Sequence, residues 1–324
     1  MRDRVTAALH QAIAAHVTHV FRRACGALAG DLGEVQQWVV DCARAHPTYL
    51  QLPLLACEAT DGDPSDAVPV AAAWHLLHCA ARILDDVADK AQLPLEADRA
   101  TNTAVILIFL AQVSLTTLRQ SNVDAERIIS LVSTFNTATT HTALGQAADL
   151  AWDESGHTPD DYLRLAGAKT GEFFALACRC GAMLGTDETT EIDIYSSFGY
   201  HLGVLVQLGD DLQALWRPRG RSDLITTNRT LPVVYALSVA SSRTRAQLRA
   251  LVRKAPDDPE SLHQLQSALA KLGALHFTAL QAGQQHHLAR EAILSSARPT
   301  VAQHELLKLL DAAFPAVASE AWSS

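Results

Sequence analysis

Twelve prolines divide this chain of 324 residues into long segments rich in Ala, Leu, Gln, Glu and Arg, the residues that favour helices. A proline inside a helix removes a hydrogen bond and clashes with the preceding turn, so each one predicts a helix start, end or kink. Segments 124–150 and 160–184 carry apolar residues three to four positions apart, and no alternating run of β-branched residues is long enough for a strand. The sequence therefore predicts an all-α fold of roughly ten to twelve helices.

The chain shows no internal repeat, low-complexity linker or shift in composition that would mark a domain boundary. Its hydrophobic share of 48 % is enough to build one large core, so we expect a single domain over residues 1–324. Six cysteines without a C-x-x-C pair predict neither a disulfide framework nor a zinc site, and reduced thiols are the simplest interpretation.

The charge balance and the apolar runs limit the partners and the location of the protein. A formal net charge of −9 excludes a general nucleic-acid-binding protein, which would need a basic face. The N-terminal segment lacks the apolar region of a signal peptide. The longest apolar run, 104–111, is far shorter than the ~18 residues of a membrane span. We therefore expect a cytoplasmic protein with no nucleic-acid partner and no membrane span.

Three aspartates lie in the otherwise apolar segment 71–91. Asp85 and Asp89 are one helical turn apart and share a face, where their charges repel, and Asp86 follows Asp85 directly. A divalent cation would compensate these charges, and Mg²⁺ prefers carboxylate oxygens. The alternative interpretation is a solvated acidic face without a ligand.

A second acidic pair, Asp210 and Asp211, closes the apolar segment 195–215, with Gln207 one turn before Asp211. Two such helices could place carboxylates on opposite walls of one cavity. Fixed cations accompany them in sequence: Lys169, Arg217, Arg219, Arg221 and Arg229. Carboxylates, Mg²⁺ and cations around an apolar cavity predict a site for a diphosphate that carries an apolar tail.

Further short motifs follow one another along the chain: Leu76-Leu77-His78, Asp85-Asp86-x-x-Asp89, Gly145-Gln146-x-x-Asp149-Leu150, Lys169-Thr170-Gly171-x-Phe173-Phe174, Phe198-Gly199-x-x-Leu202-Gly203, Gln207-x-x-Asp210-Asp211 and Thr230-Leu231-Pro232. In this order they resemble the motifs of the trans-polyprenyl diphosphate synthase family, the class I isoprenoid synthases. The resemblance covers residues 53–237. It implies an all-α, single-domain helical bundle around a central cavity and, because the family is usually dimeric, a homodimer.

The resemblance also implies roles for individual residues. Asp85, Asp89 and Asp210 would hold about three Mg²⁺ ions. The catalytic set that it implies is Asp85, Asp86, Asp89, Lys169, Asp210 and Asp211. The residues that it implies for the allylic diphosphate substrate are Gln146, Lys169, Thr170, Gln207, Arg221, Arg229 and Ala81. Ala81 would form the pocket floor, where a small side chain leaves room for roughly a C15–C20 chain or longer.

One half of the family's site is missing from this sequence. Chain-elongating members bind isopentenyl diphosphate, the second substrate, with a Lys and two Arg before the first aspartate motif and an Arg pair after it. Here residues 49–53 read Tyr-Leu-Gln-Leu-Pro, and Asp89 is followed by Lys90 without an Arg pair. Burying a second diphosphate without cations is strongly unfavourable, so the sequence disfavours chain elongation.

The leading hypothesis from sequence is therefore a Mg²⁺-dependent terpene synthase or cyclase, which ionises an allylic prenyl diphosphate and releases diphosphate. Two alternatives stay open. A prenyltransferase would move the prenyl group to isopentenyl diphosphate or to another acceptor, such as an aromatic ring or a peptide. A non-catalytic subunit of a prenyl diphosphate synthase would share the fold, although the intact Asp85, Asp86 and Asp89 argue against it.

Overall fold

The computed structural model describes residues 2–26, 33–45, 49–89, 96–121, 123–152, 157–218, 224, 229–297 and 299–315. Within these residues all regular secondary structure is helical, and none of them lies in a strand. The predicted all-α class is thereby confirmed. Among the described residues the helices reach from Arg2 to Ala313, and several of them begin at a proline or with an acidic first turn, as the sequence predicts.

The chain divides into two compact units, each built from several stretches of sequence. Unit 1 comprises residues 1–138, 175–197 and 293–309, and unit 2 comprises residues 139–174, 198–292 and 310–324. Several long helices contribute residues to both units. A single domain over residues 1–324 stays a prediction.

Unit 1 contains the first half of the chain. Its helices, together with the helices that it shares with unit 2, are α1 (Arg2–Cys25), α2 (Gly33–Ala45), α3 (Leu52–Ala59), α4 (Val68–Ala88), α5 (Ala97–Thr116), α6 (Ala125–Leu150), α8 (Glu172–Gly185), α9 (Thr189–Trp216), α13 (Ala274–Leu294) and α14 (Val301–Ala313). Helix α4 packs against α1, α2, α3 and α5. Its first half is buried on every face, which its run of alanines and leucines explains, and its last turn emerges with the first aspartate motif.

Unit 2 contains the later helices and a short π-helical turn. Its own elements are α7 (Pro159–Ala166), the π turn (Gly167–Gly171), α10 (Leu231–Val239), α11 (Ser242–Lys254) and α12 (Pro259–Lys271). A capping box at Thr158 and Asp161 begins α7. Helix α7 packs against α10, and α10 packs against α11 and α12 around an apolar core of leucines, valines and alanines.

Glycines let two helices approach the π turn closely. A Cβ atom on Gly145 of α6 would lie 2.8 Å from the carbonyl carbon of Ala168. A Cβ atom on Gly203 of α9 would lie 2.5 Å from the carbonyl oxygen of Thr170. Any larger residue at either position would push its helix away from the π turn, because real Cβ atoms do not approach backbone atoms so closely. The glycines therefore fix the position of the segment that carries Lys169 and Thr170.

Two stretches of helix, Pro64–Ala88 and Ala97–Gln120, are long and apolar enough to cross a membrane by length and composition. Most of the first window (72 %) and half of the second (50 %) are buried inside the fold. The core helices of globular proteins have the same length, composition and burial. Length and hydropathy are therefore weak evidence for a span here, and the location in the cell stays a prediction.

The close approach at Gly203 predicts a clear difference between two glycine substitutions in helices of unit 2. Gly203→Ala should lower the free energy of unfolding by about 1–3 kcal/mol, since the added methyl group overpacks the contact with Thr170. Gly283→Ala in α13 is the matched control: its Cβ atom meets nothing within 4 Å, and alanine favours the helix by up to about 1 kcal/mol. Urea unfolding of both variants tests this. Equal stability of Gly203→Ala and the wild type would contradict the packing described.

Candidate functional site

The first aspartate motif lies at the carboxyl end of α4. Asp85 and Asp86 are in its last turn, and Asp89 ends the helix with its backbone N–H donating to the Asp85 carbonyl oxygen at 2.9 Å. All three aspartates are partly exposed, and the last turn of α4 contains no basic residue. Negative charge is unfavourable at the carboxyl end of a helix, where the macrodipole is also negative. A bound cation would relieve this repulsion, and the carboxylate oxygens suit Mg²⁺.

The residues before this motif differ in burial. Ala80 is fully buried, whereas Ala81 and Arg82 are exposed within unit 1. The role of Ala81 as part of a pocket floor stays a prediction.

Unit 2 contains a cluster of one carboxylate and two cations. The Nζ atom of Lys169 donates to Oδ2 of Asp149 at 3.1 Å, and Nη1 of Arg229 lies 3.8 Å from the same oxygen. Lys169 stands on the π turn, Asp149 in the last turn of α6, and Arg229 two residues before α10. The Nε atom of Arg229 is buried and makes no hydrogen bond within the part of the chain that the structure describes.

Lys169 and Arg229 both contact the carboxylate of Asp149. All three side chains are partly buried, so water screens their charges less than at the surface. A buried guanidinium N–H without a partner is costly unless a ligand accepts its hydrogen bond. The cluster of Asp149, Lys169 and Arg229 is therefore suited to bind an anion rich in oxygen atoms, such as a phosphate group.

Asp211 is the centre of a buried hydrogen-bond network. Its Oδ2 atom accepts from the Tyr162 hydroxyl at 2.5 Å and from the Leu231 backbone N–H at 2.9 Å, and its Oδ1 atom accepts from Nε2 of Gln207 at 3.3 Å. Oε1 of Gln207 accepts from the Thr170 hydroxyl at 2.7 Å. The network thus joins α7, α9, the π turn and the start of α10.

Burial dominates the electrostatics of this network. Burial and, to a smaller extent, the charge of Asp210 raise the pKa of the Asp211 carboxyl, whereas its three hydrogen bonds favour the carboxylate and lower it. The resulting pKa is about 7. Burial and the neighbouring Asp211 also raise the pKa of the Tyr162 hydroxyl well above its usual value. Tyr162 is therefore a hydrogen-bond donor at neutral pH.

Asp210 and Asp211 are adjacent in α9 and have different surroundings. Asp211 is 3 % exposed and both of its oxygens accept hydrogen bonds from protein groups, whereas Asp210 is exposed. Successive residues of a helix point about 100° apart, which explains the difference. Asp210 has the more accessible carboxylate for a metal ion.

The structure brings several of the predicted site residues together within unit 2: Lys169, Thr170, Gln207, Asp211 and Arg229. Gln146 is half-buried in α6, next to the glycine that contacts the π turn. Asp85, Asp86, Asp89 and Ala81 belong to unit 1. Arg221 lies outside the described residues. Among the residues that the structure describes, no three His, Cys, Asp or Glu side chains form a group that could hold a metal ion.

The sequence analysis missed Asp149 and Tyr162. Asp149 is part of a motif used for the family resemblance, but nothing in its spacing predicts that it contacts Lys169, twenty residues further along the chain. Tyr162 lies 49 residues from Asp211, and the acidic start of α7 predicts a helix without predicting which partner its tyrosine meets.

Comparison with known proteins agrees with the motifs. The family model described as Polyprenyl synthetase matches residues 43–269. A short chain isoprenyl diphosphate synthase of Methanothermobacter thermautotrophicus is 30 % identical over 215 residues, which are 61 % of this chain and 64 % of that protein. A (2E,6E)-farnesyl diphosphate synthase of Mycobacterium bovis is 29 % identical over 234 residues, 68 % of this chain and 64 % of that protein.

The chain therefore spans slightly less than two thirds of the length of these two relatives. In three dimensions it is similar to the crystal structure of a geranylgeranyl pyrophosphate synthetase from Pyrococcus horikoshii. The TM-score is 0.80 and the identity 20 %, with 97 % of this chain and 98 % of that chain covered. At this identity the likeness shows the shared fold.

The cluster of Asp149, Lys169 and Arg229 predicts direct binding of inorganic diphosphate. Lys169→Met and Arg229→Met should each weaken binding at least about tenfold, because a hydrogen bond to a charged group contributes about 1.5–3 kcal/mol. Lys271→Met, at the exposed end of α12, is the control and should bind like the wild type. Isothermal titration calorimetry measures the affinity. Unchanged binding in both cluster variants would show that the diphosphate binds elsewhere.

Proposed function

We propose, since this chain belongs to the polyprenyl synthetase family, that it is a Mg²⁺-dependent prenyltransferase whose donor is an allylic prenyl diphosphate. The observation that carries the proposal is the pair of partly buried cations, Lys169 and Arg229, at the carboxylate of Asp149, with a buried Nε atom of Arg229 that makes no hydrogen bond within the described residues. Asp149 and Lys169 lie in motifs that resemble those of the family, and Arg229 directly precedes a third, Thr230-Leu231-Pro232. The two cations offer charged donors to the phosphate oxygens of the substrate. A homodimer and a cytoplasmic location belong to the proposal as expectations from sequence.

The comparisons change the order of the hypotheses. Sequence reasoning placed a terpene cyclase first, whereas both relatives described above are named as isoprenyl or farnesyl diphosphate synthases. Such names describe enzymes that make longer prenyl diphosphates, and they favour prenyl transfer over cyclisation. We therefore place transfer to isopentenyl diphosphate first and cyclisation second.

In the proposed reaction of the donor, the residues described above have different roles. Asp85, Asp89 and Asp210 would hold Mg²⁺, which when bound neutralises the charge of the departing diphosphate. Lys169 and Arg229 bind its oxygen atoms, and Asp149 holds the two cations near each other. As the C–O bond of the donor breaks, its electron pair leaves with the diphosphate. The allylic cation then reacts with the double bond of the acceptor, and the released diphosphate can accept the proton that is lost.

One observation favours cyclisation as the second candidate. Residues 49–53, where the resemblance places the cations for a second diphosphate, carry no positive charge, and Leu50 and Leu52 are buried at 3 % and 0 % exposure. The segment packs tightly, since a Cβ atom on Gly181 would lie 2.2 Å from the Pro53 carbonyl oxygen. If the chain elongates prenyl groups, its affinity for isopentenyl diphosphate must be low.

Product analysis separates the two candidates. We expect incubation with Mg²⁺ and geranyl, farnesyl or geranylgeranyl diphosphate to yield longer prenyl diphosphates only when isopentenyl diphosphate is added. The KM for isopentenyl diphosphate should exceed that for the allylic substrate at least about tenfold, because charged contacts worth about 1.5–3 kcal/mol each are missing. Gas chromatography–mass spectrometry, after dephosphorylation, identifies the products. A hydrocarbon or alcohol formed from one diphosphate alone, and detected before any dephosphorylation, would establish the cyclase instead.

The acidic end of α4 predicts the effect of two substitutions on metal dependence. Asp85→Asn and Asp89→Asn should each lower diphosphate release at least about a hundredfold and raise the Mg²⁺ concentration needed for half-maximal rate, since an amide is a weaker ligand than a carboxylate. Asp98→Asn, in the exposed first turn of α5, is the control. Unchanged Mg²⁺ dependence in both α4 variants would rule out this metal site.

A further inference from the structure

The second aspartate of the second motif, Asp211, is buried, and both of its oxygens accept hydrogen bonds from groups of the protein. We propose that Asp211, together with Tyr162, is a positioning residue that fixes both sides of the donor diphosphate site through hydrogen bonds to Gln207 and to the first N–H of α10. The inference rests on the proposed function, because it assigns Lys169 and Arg229 to the diphosphate. It assigns different roles to the two neighbouring aspartates: Asp210 is a candidate Mg²⁺ ligand, and Asp211 positions other residues of the site.

The first side of the site is held through Gln207. Its amide nitrogen donates to Asp211, which leaves Oε1 pointing at the Thr170 hydroxyl, and Thr170 directly follows Lys169 on the π turn. If the carboxamide of Gln207 were rotated by 180°, its oxygen would face Asp211 in place of its NH₂ group, and the hydrogen bond to Asp211 would be lost. Asp211 therefore sets the orientation of Gln207, and Gln207 in turn ties the π turn to α9.

The second side is held through the start of α10. The Thr230 side chain makes no capping hydrogen bond, so the first N–H groups of α10 need another acceptor. Asp211 supplies that acceptor from α9 by accepting from the Leu231 N–H, and its negative charge suits the amino end of a helix. Leu231 is two residues from Arg229, so the same bond fixes the backbone from which Arg229 reaches Asp149.

These contacts close a ring within unit 2. In one direction it runs from Asp211 through Gln207 and Thr170 to Lys169, and in the other through Leu231 to Arg229. Both directions meet at Asp149. Two carboxylates thereby fix the separation of Lys169 and Arg229. Asp149 contacts both cations, whereas Asp211 contacts neither and acts through its neighbours.

A carboxylate can accept hydrogen bonds from all three groups around this position. The three groups around Asp211 are all donors: a phenol, a backbone N–H and an amide N–H. An asparagine would offer them one acceptor oxygen and one NH₂ group, which would face the NH₂ group of Gln207. Tyr162 contributes the shortest of the three bonds and lies in α7, which packs against α10.

A swap of donor and acceptor tests the inference. Gln207→Glu alone places two carboxylates against each other, and Asp211→Asn alone places two NH₂ groups together unless Gln207 turns over. In the double variant the new amide at position 211 donates to the new carboxylate at position 207, and that carboxylate still accepts from the Thr170 hydroxyl. We expect each single variant to weaken binding of inorganic diphosphate at least about tenfold, and the double variant to recover most of the loss relative to Gln207→Glu.

Tyrosine substitutions give the second part of the test. Tyr162→Phe removes one donor to Asp211 and should raise the KM for the allylic diphosphate about tenfold with a smaller effect on kcat. The matched control is Tyr195→Phe in unit 1, a fully buried tyrosine whose hydroxyl lies 3.5 Å from the Ala59 carbonyl oxygen. It should leave KM unchanged. Thermal unfolding of each variant shows that the comparison is between folded proteins.

The readouts distinguish the inference from its alternatives. If Asp211 were a Mg²⁺ ligand, Asp211→Asn would raise the Mg²⁺ concentration for half-maximal rate and Gln207→Glu would not rescue it; that result would overturn the inference. Equal loss in the double variant and in both single variants would overturn it as well. If the wild type binds inorganic diphosphate but turns over no prenyl substrate, the proposed function fails, and the swap measured by calorimetry still decides the role of Asp211.

Discussion

The cluster of Asp149, Lys169 and Arg229 depends on the position of the π turn, Gly167–Gly171, which carries Lys169. A π turn inserts an extra residue into the helical path, and such turns are frequent at functional sites. Here α6 and α9 hold it from separate directions, through backbone contacts that only glycine permits at residues 145 and 203. Lys169 and Thr170 therefore project from a segment that cannot shift without moving two helices.

Carboxylates perform three different tasks along this chain, and burial decides which. At the end of α4 they are partly exposed, close to each other and opposed by the helix dipole, which is the state that a hard cation relieves. Asp149 is half-buried against two cations and holds them close together. Asp211 is buried, and both of its oxygens accept hydrogen bonds from donors of the protein. Sequence motifs alone do not distinguish the roles of these aspartates, whereas their burial and their contact partners do.

The fold class was predictable because its signals are local. Proline positions, acidic first turns and three-to-four spacing specify helices without reference to distant residues, and the motif helices appear where sequence placed them. The π turn was not predictable, since Gly-Ala-Lys-Thr-Gly gives no signal that distinguishes it from continuous helix. Tyr162 was missed for a related reason: its partner, Asp211, is 49 residues away, and only tertiary packing brings a phenol and a carboxylate together.

The residues proposed to bind the donor and those that the resemblance implies for the acceptor differ in their packing. The proposed donor cluster combines side chains from three elements of unit 2. Of the acceptor cations that the resemblance implies, those before the first aspartate motif would lie in residues 49–53, where Leu50 and Leu52 are buried in this chain. Returning a cation to either position would place an unpaired charge where a leucine now packs, at a cost of several kcal/mol. Under the proposed function, the burial of Leu50 and Leu52 in unit 1 therefore disfavours a second diphosphate held by cations in residues 49–53.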